Sequence, residues 1–265
     1  MTSVAHTAAG AIVAAKPGLG DFFPAPFAFE GTIFEMNRLV LVRIIAAAAL
    51  LVIMMIGAQR AQLVPGRGQS VLELIITFVR DKISIETLGE VNGRRYAPIL
   101  TTIFFAVLFM NITGIIPGLN IAASSVIAIP LVFAILSYVI FIAAGIRAQG
   151  TLTFFRTQLF PPGVPWPLYF ILAPIELVST FVIRPATLTI RLLVNMMVGH
   201  MLLAMCFFGT HYLFFEAAAA MKPLGTLTLL GALAFTLFEI FVAGLQAFIF
   251  AVLTAVYIKM SVEAH

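Results

Sequence analysis

The sequence predicts an all-α membrane protein that crosses the bilayer five times and carries one further amphipathic helix at the membrane surface. Of its 265 residues, 62% are hydrophobic and 10% are charged, and the mean hydropathy is +1.12, which excludes a water-soluble domain. A helix needs about 20 apolar residues to span a hydrocarbon core of about 30 Å. Runs long enough lie at 39–58, 97–116, 121–146, 168–215 and 224–258.

Two regions are expected along the chain, an N-terminal extracytoplasmic segment at 1–37 and a single membrane domain at 38–265. The N-terminal segment contains a short apolar patch, but no basic residue precedes it. A cleaved signal peptide needs such a basic region, so none is expected here.

An amphipathic helix is predicted at about 69–88, between the first two spans. Its polar residues recur at steps of three and four: Glu73, Thr77, Arg80, Ser84 and Thr87. A separate stripe is apolar: Leu72, Ile75, Ile76, Val79 and Ile83. This pattern indicates a helix lying on the membrane surface, with an ordinary soluble loop helix as the alternative.

The distribution of basic residues predicts the orientation. Residues 59–96 contain six bases, Arg60, Arg67, Arg80, Lys82, Arg94 and Arg95, and the loop near 147–156 contains Arg147 and Arg156. Loops rich in Lys and Arg favour the cytoplasmic side. Five crossings then place the N-terminus and the links at 117–120 and 216–222 outside, and the C-terminus inside.

The last span is too long for a simple crossing. Residues 224–258 contain one charged residue, Glu239, and no proline. As one helix they would extend about 50 Å at about 1.5 Å per residue, well beyond the core, yet they are too few for two spans. Tilt or extension beyond the membrane resolves the mismatch. Residues 186–215 show the same excess, so the two predict a long, steeply tilted antiparallel hairpin.

Three ionisable residues of this hairpin, Arg191, His200 and Glu239, are candidate functional residues, because ionisable groups at membrane depth are costly and usually face a partner or water. Arg191 and Asn195 are one turn apart and share a face, whereas His200 is about half a turn out of phase with Arg191. A buried ion pair is the structural alternative for Arg191.

Antiparallel pairing of the two helices predicts which of their residues lie side by side. If the hairpin turns near residue 219, His200 lies beside Glu239 and Arg191 lies beside Gln246. Imidazole titrates near neutral pH, so a His–Glu contact predicts a proton relay, with a static hydrogen-bonded pair as the alternative. Arg191 remains protonated at any ordinary pH. It therefore suits a barrier to protons and not a carrier of them.

Three further charged residues have structural alternatives. Arg43 lies near the outer end of its span and can snorkel, which favours a structural role. Glu176 and Arg184 flank two prolines, Pro174 and Pro185, where a broken helix would admit water. A structural pair of these two charges is equally compatible with the sequence.

Small residues at steps of four mark a packing face on the last helix: Ala243, Ala247, Ala251 and Ala255. Such residues allow close helix approach. The partner helix is expected either in this chain or in another one.

The sequence contains no motif for several classes of function. No phosphate-binding glycine motif supports nucleotide binding, no His or Cys cluster supports a metal site, and no Ser/His/Asp set supports hydrolysis. Cys206 is the single cysteine. The net charge of +4 is explained by the loop bases, so no nucleic-acid partner is expected. We expect no cofactor, no metal and no catalysis by this chain alone.

Two stretches, "IRPATLTIRLLVNMMVGHMLL" at 183–203 and "FEIFVAGLQAFIFAVLTAVYI" at 238–258, closely resemble subunit a of the F-type rotary ATP synthase. Arg191, Leu192, Asn195 and Gly199 match the family's R-L-x-x-N-x-x-x-G core. Residues 245–250 match its L-Q-A-F-I-F signature, and "FMNITGIIPG" at 109–118 looks like its M-N…P stretch.

The resemblance implies a stator subunit of the bacterial cell (inner) membrane that lies against a ring of c subunits and forms two aqueous half-channels. The b subunits of the peripheral stalk and the remainder of the complex are further implied partners. Arg191 matches the family's essential arginine, which faces the carboxylate of each passing c subunit and separates the half-channels. Asn195 and Gln246 match polar positions near it.

Four other positions differ from the pattern of some or all family members. In some members the position that matches His200 carries Glu and the position that matches Glu239 carries His. A direct contact between the two side chains would allow such an exchange. Glu176 matches an acidic residue of the family with a shift of one position. At Gly114 some members carry an acid.

The alternative function is a self-contained secondary transporter with its own substrate site. Such transporters usually contain two repeated halves with matching broken helices. The sequence shows no internal repeat, and five crossings do not divide evenly.

Overall fold

The computed structural model describes residues 36–59, 66–116, 123–160 and 168–262. Nearly all of the predicted segment 1–37 and the whole link 117–120 lie outside these residues, so the expected division at residue 37 stays a prediction. The described α-helices are α1 (Arg38–Gln59), α2 (Arg67–Phe78), α3 (Glu86–Ile112), α4 (Ala128–Gln149), α5 (Thr151–Leu159), α6 (Tyr169–Val178), α7 (Arg184–His211) and α8 (Lys222–Val262).

Five helical stretches in the described residues are long and apolar enough to cross a membrane: Arg38–Gln59, Arg67–Ile112, Ala128–Gln149, Tyr169–Glu216 and Ala219–Val262. This confirms the all-α class and the five spans. The first and fourth stretches agree with the predicted bounds within one residue and the fifth within five. The second and third differ more, because their helices begin at Glu86 and Ala128 and not at 97 and 121.

The predicted surface helix is α2 with the π-helical turn Val79–Ile85 that follows it. The chain kinks at Gly89, where φ is 75° and ψ is 172°, and then continues as the second span. Val79 and Ile83 are fully buried. The predicted apolar stripe therefore packs against the protein itself.

Ser84 was predicted on the polar stripe, and this is wrong. Its side chain is buried, and its hydroxyl donates a hydrogen bond to the Gly93 carbonyl over 2.6 Å. The kink at Gly89 brings these two residues together. A Cβ on Gly93 would lie 2.6 Å from the Ile85 Cα, so the absence of a side chain there permits the close approach.

The C-terminal half of α8 forms the centre of the molecule. Its four regularly spaced alanines, Ala243, Ala247, Ala251 and Ala255, are completely buried, and α8 packs against α3, α4 and α7. Between α4 and α8, the hydroxyls of Ser137 and Thr254 lie 2.9 Å apart. The alanine face therefore packs within this chain.

The predicted long hairpin is confirmed. Helix α8 has 41 residues, a length of about 60 Å at about 1.5 Å per residue. The first arm continues through Pro174 and Pro185 without a break, with a π-helical turn at Ser179–Ile183 between them. The predicted break at these prolines is wrong, because the wider π-helical turn accommodates the missing N–H group of Pro185.

Gly89→Ala is expected to destabilise the fold by about 1–2 kcal/mol, because its φ of 75° is unfavourable for any residue with a side chain. A Cβ there would meet no atom within 4 Å, so the cost comes from the backbone alone. The measurement is the midpoint of thermal unfolding in detergent.

The matched control is Gly68→Ala, where a Cβ also meets nothing within 4 Å and φ is not positive. Alanine favours a helix over glycine, so this variant should be as stable as the parent or more so. An equal loss of stability in both variants would contradict the backbone explanation.

Candidate functional site

Arg191 lies on the outer face of α7. The residues of α7 that pack inward recur at steps of three and four, as a helix requires: Leu188, Leu192, Met196 and Leu203 are buried. Arg191 lies on the exposed side together with apolar residues such as Val194 and Val198. Among the described residues, Arg191 makes no hydrogen bond or ion pair.

Asn195 links the two helices of the hairpin one turn beyond Arg191. Its Nδ2 donates a hydrogen bond to Oε1 of Gln246 over 3.0 Å, and Gln246 is only 2% exposed. The predicted neighbour of Gln246 was Arg191, so the pairing is offset by one turn. The shared face of Arg191 and Asn195 was predicted correctly, but which of them reaches Gln246 was not.

Glu239 lies on the inner face of α8, opposite Gly199. A Cβ built on Gly199 would lie 3.1 Å from Oε1 of Glu239, so the glycine provides the room that the carboxyl group occupies. Glu239 is 5% exposed, and its Oε2 has no hydrogen-bond partner among the described residues. The register thus brings Glu239 to the residue next to His200, close to the predicted level.

His200 lines a cavity of about 520 Å³ between the end of the second span and the hairpin. Gly114 and Thr236 also line it, together with apolar residues of α7 and α8. Thr236 is one turn from Glu239 on α8, so the cavity approaches the buried carboxyl group. Sequence reasoning left Gly114 out of the candidate site, although the family resemblance had already marked this position.

Glu176 and Arg184 do not form the pair that the sequence allowed. No ion pair joins them in the described part of the chain, and the guanidinium carbon of Arg184 lies 5.6 Å from the ring centre of Tyr257. Glu176 is partly buried on α6, about 22 Å before Arg191 along the helix axis. The structure does not bring Glu176 to the other candidate residues.

Arg43 has a structural partner. Its Nε donates a hydrogen bond to the carbonyl oxygen of Ala123 over 3.2 Å, which confirms the structural interpretation. No three His, Cys, Asp or Glu side chains within the described ranges are placed to hold a metal ion. The candidate site therefore consists of the exposed cation Arg191, the Asn195–Gln246 amide pair, and the buried carboxyl of Glu239 near the partly buried His200.

Comparisons with known proteins agree with this arrangement. The family model described as "ATP synthase A chain" matches residues 40–259. ATP synthase subunit a of Rhodococcus erythropolis is 42% identical over 248 residues, which are 94% of this chain and 90% of that protein. The subunit a of Parafrankia sp. is 42% identical over 214 residues, 79% of this chain and 70% of that protein.

A third relative matches this chain over the same number of residues as the first. Subunit a of Pseudarthrobacter chlorophenolicus is 32% identical over 248 residues, 94% of this chain and 93% of that protein. These relatives are membrane subunits of the ATP synthase and not catalysts alone. The match covers every described span and the whole candidate site, and the chain belongs to the ATP synthase subunit a family.

Proposed function

We propose that this chain conducts protons between two half-channels and that Arg191 is the fixed barrier between them, facing a rotor ring of c subunits. The observation that carries the proposal is the position of Arg191, a cation on an exposed apolar face of α7 with no partner among the described residues. An ionised group at membrane depth requires a partner or water. A carboxylate on another chain meets this requirement.

The electrostatics of a guanidinium suit a barrier. Arginine keeps its charge at any ordinary pH, so it attracts a carboxylate but cannot accept a proton from it. At about 4 Å and an effective dielectric constant of about 20, the attraction of two unit charges is about 4 kcal/mol. A rotor carboxylate would therefore lose its proton on reaching Arg191 and regain one on leaving it.

The hydrogen-bonded side chains of Asn195 and Gln246 help to fix the position of Arg191. Asn195 and Gln246 connect α7 to α8 one turn from Arg191, and both amides contribute to orientation without carrying charge. We infer that they hold the backbone of Arg191 at a fixed distance from the rotor.

The cavity beside His200 supports one access path. His200 lies about 14 Å from Arg191 along the helix axis, in the direction of the link 216–222, for which the loop charges favour the outside. Protons entering there would pass His200 and then Glu239, because His200 lines the cavity and Glu239 lies one turn from Thr236 in its wall. Glu176 lies on the opposite side of Arg191 and is our proposed polar residue of the cytoplasmic path.

The proposed setting is the bacterial cell membrane, with the N-terminus outside and the C-terminus in the cytoplasm. The proposed partners are the c-subunit ring, the b subunits of the peripheral stalk and the remaining subunits. A self-contained transporter is not favoured, because the relatives across almost the whole chain are ATP synthase subunits.

Arg191→Ala is expected to abolish ATP-driven proton pumping while the complex still assembles, because the side chain is exposed and forms no hydrogen bond or ion pair with the described residues. The measurement is acidification of inverted membrane vesicles upon addition of ATP, normalised to the amount of complex. Arg147→Ala is the control, since Arg147 is also exposed but lies at the end of α4. Pumping retained in Arg191→Ala would refute the proposed barrier.

His200→Glu combined with Glu239→His should retain more pumping activity than either single variant, because the exchange preserves one acid and one imidazole at the same level. The measurement is a double-mutant cycle on pumping rates. In a control cycle, Glu239→His is combined with Thr254→Ala, about four turns further along α8, and the losses should be additive. Additive losses in the His200–Glu239 cycle would argue against direct contact.

A further inference from the structure

Arg184 is a second arginine on α7, two turns before Arg191, and the proposed proton path does not use it. Its guanidinium carbon lies 5.6 Å from the ring centre of Tyr257 on α8. A cation placed over an aromatic face at this distance is attracted by the ring. The residue is only partly exposed. An aromatic ring, and not a carboxylate, lies against its charge.

A small cavity adjoins this contact. Its volume is about 10 Å³, and its walls include Arg184, Tyr138 and Tyr257. The Nη1 atom of Arg184 and the hydroxyl oxygen of Tyr138 are both buried without a hydrogen-bond partner among the described residues. Buried polar groups are nearly always hydrogen-bonded, and a cavity of about 10 Å³ is just large enough for one water molecule that these two groups would bind.

The contact also belongs to a series along the hairpin. Arg184 meets Tyr257, and Asn195 bonds to Gln246. Further along, the hydroxyl of Thr210 donates to that of Thr228 over 3.0 Å. Arg191 lies between the first two of these contacts. The segment of α7 that carries the proposed barrier is thus connected to α8 on both sides.

We propose that Arg184 is a positioning residue for Arg191, which fixes the rotation of α7 through the Tyr257 ring and through one water molecule shared with Tyr138. The proposal rests on the barrier role proposed for Arg191. The beginning of α7 needs such a contact, because a π-helical turn precedes it and Pro185 has no N–H group to bond to that turn.

Small rotations matter at this site. A rotation of α7 by about 20° moves a group at the helix surface, about 6 Å from the axis, by about 2 Å. Displacements of about 1 Å are enough to lower the rate of a reaction between positioned groups by about a hundredfold. A loosened Arg184 contact would therefore misplace the guanidinium of Arg191 without unfolding the hairpin.

The test compares Arg184→Met, Tyr257→Leu, the double variant and Tyr257→Phe in the intact complex in inverted vesicles. We expect the first two to pump about tenfold to a hundredfold fewer protons per ATP hydrolysed than the parent, with an increased passive proton leak. The double variant should be no worse than either single variant. Tyr257→Phe keeps the ring and should retain normal coupling, and so should the exposed control Arg147→Met.

Coupling per ATP separates positioning from structure, since a loss of folding lowers the amount of complex but not the ratio of protons to ATP. Normal coupling in Arg184→Met, additive losses in the double variant, or equal losses in Tyr257→Phe and Tyr257→Leu would each overturn the proposal. If Arg184→Met does not assemble, Tyr257→Leu gives the same test, because it leaves the charge in place.

The water molecule has a direct test. An electron cryomicroscopy map of the parent complex at about 2 Å resolution should show one water-sized peak between Nη1 of Arg184 and the hydroxyl of Tyr138. The peak should be absent in Tyr138→Phe. An empty gap in the parent, or density for a larger molecule, would overturn this part.

The result for Arg191→Ala separates the two proposals. If Arg191→Ala pumps normally, the barrier role fails and the positioning role fails with it. If Arg191→Ala is inactive but Arg184→Met is fully coupled, only the positioning role fails.

Discussion

An ionised arginine at membrane depth is costly, and the arrangement of the hairpin follows from that cost. Arg191 cannot lower that cost by releasing its proton, and within the described residues the chain supplies no carboxylate to it. A partner or water offsets such a cost, and under the proposed function an acid on another chain is that partner. The exposed apolar side chains around Arg191 are consistent with such a partner surface, because they exclude water and leave the charge as the main polar feature.

A fixed charge also needs a fixed backbone, and the hairpin provides it through close packing. The four small alanines of α8 are completely buried, which lets α3 and α4 approach α8 closely. Gly199 has the same effect on the other side, since it makes room for the carboxyl group of Glu239. Apolar packing alone would leave the alignment of α7 along α8 less specific. Polar contacts between the two helices, including the Asn195–Gln246 hydrogen bond, define that alignment.

Length and helical phase predicted most of the fold and the level at which the polar residues meet. They missed features that depend on tertiary structure. Ser84 is buried because the chain kinks at Gly89, and the hydrophobic pattern of the sequence does not indicate that kink. The helix continues through Pro185 because a π-helical turn accommodates it. The one-turn offset at Gln246 arises because a register counted along straight helices ignores how two helices cross.

The separation of fixed and titratable groups along α7 follows from what each can do. A group that titrates near neutral pH can pass a proton on, but it would also connect the two sides of the membrane if it were the only polar group between them. An arginine blocks that connection but cannot carry a proton. Placing His200 about 14 Å from Arg191 along the helix, with the carboxyl of Glu239 at the histidine's level, keeps the two tasks apart. Under the proposed function, a proton crosses only by leaving this chain for the partner acid and returning on the other side of Arg191, and this requirement would couple its flow to movement of that partner.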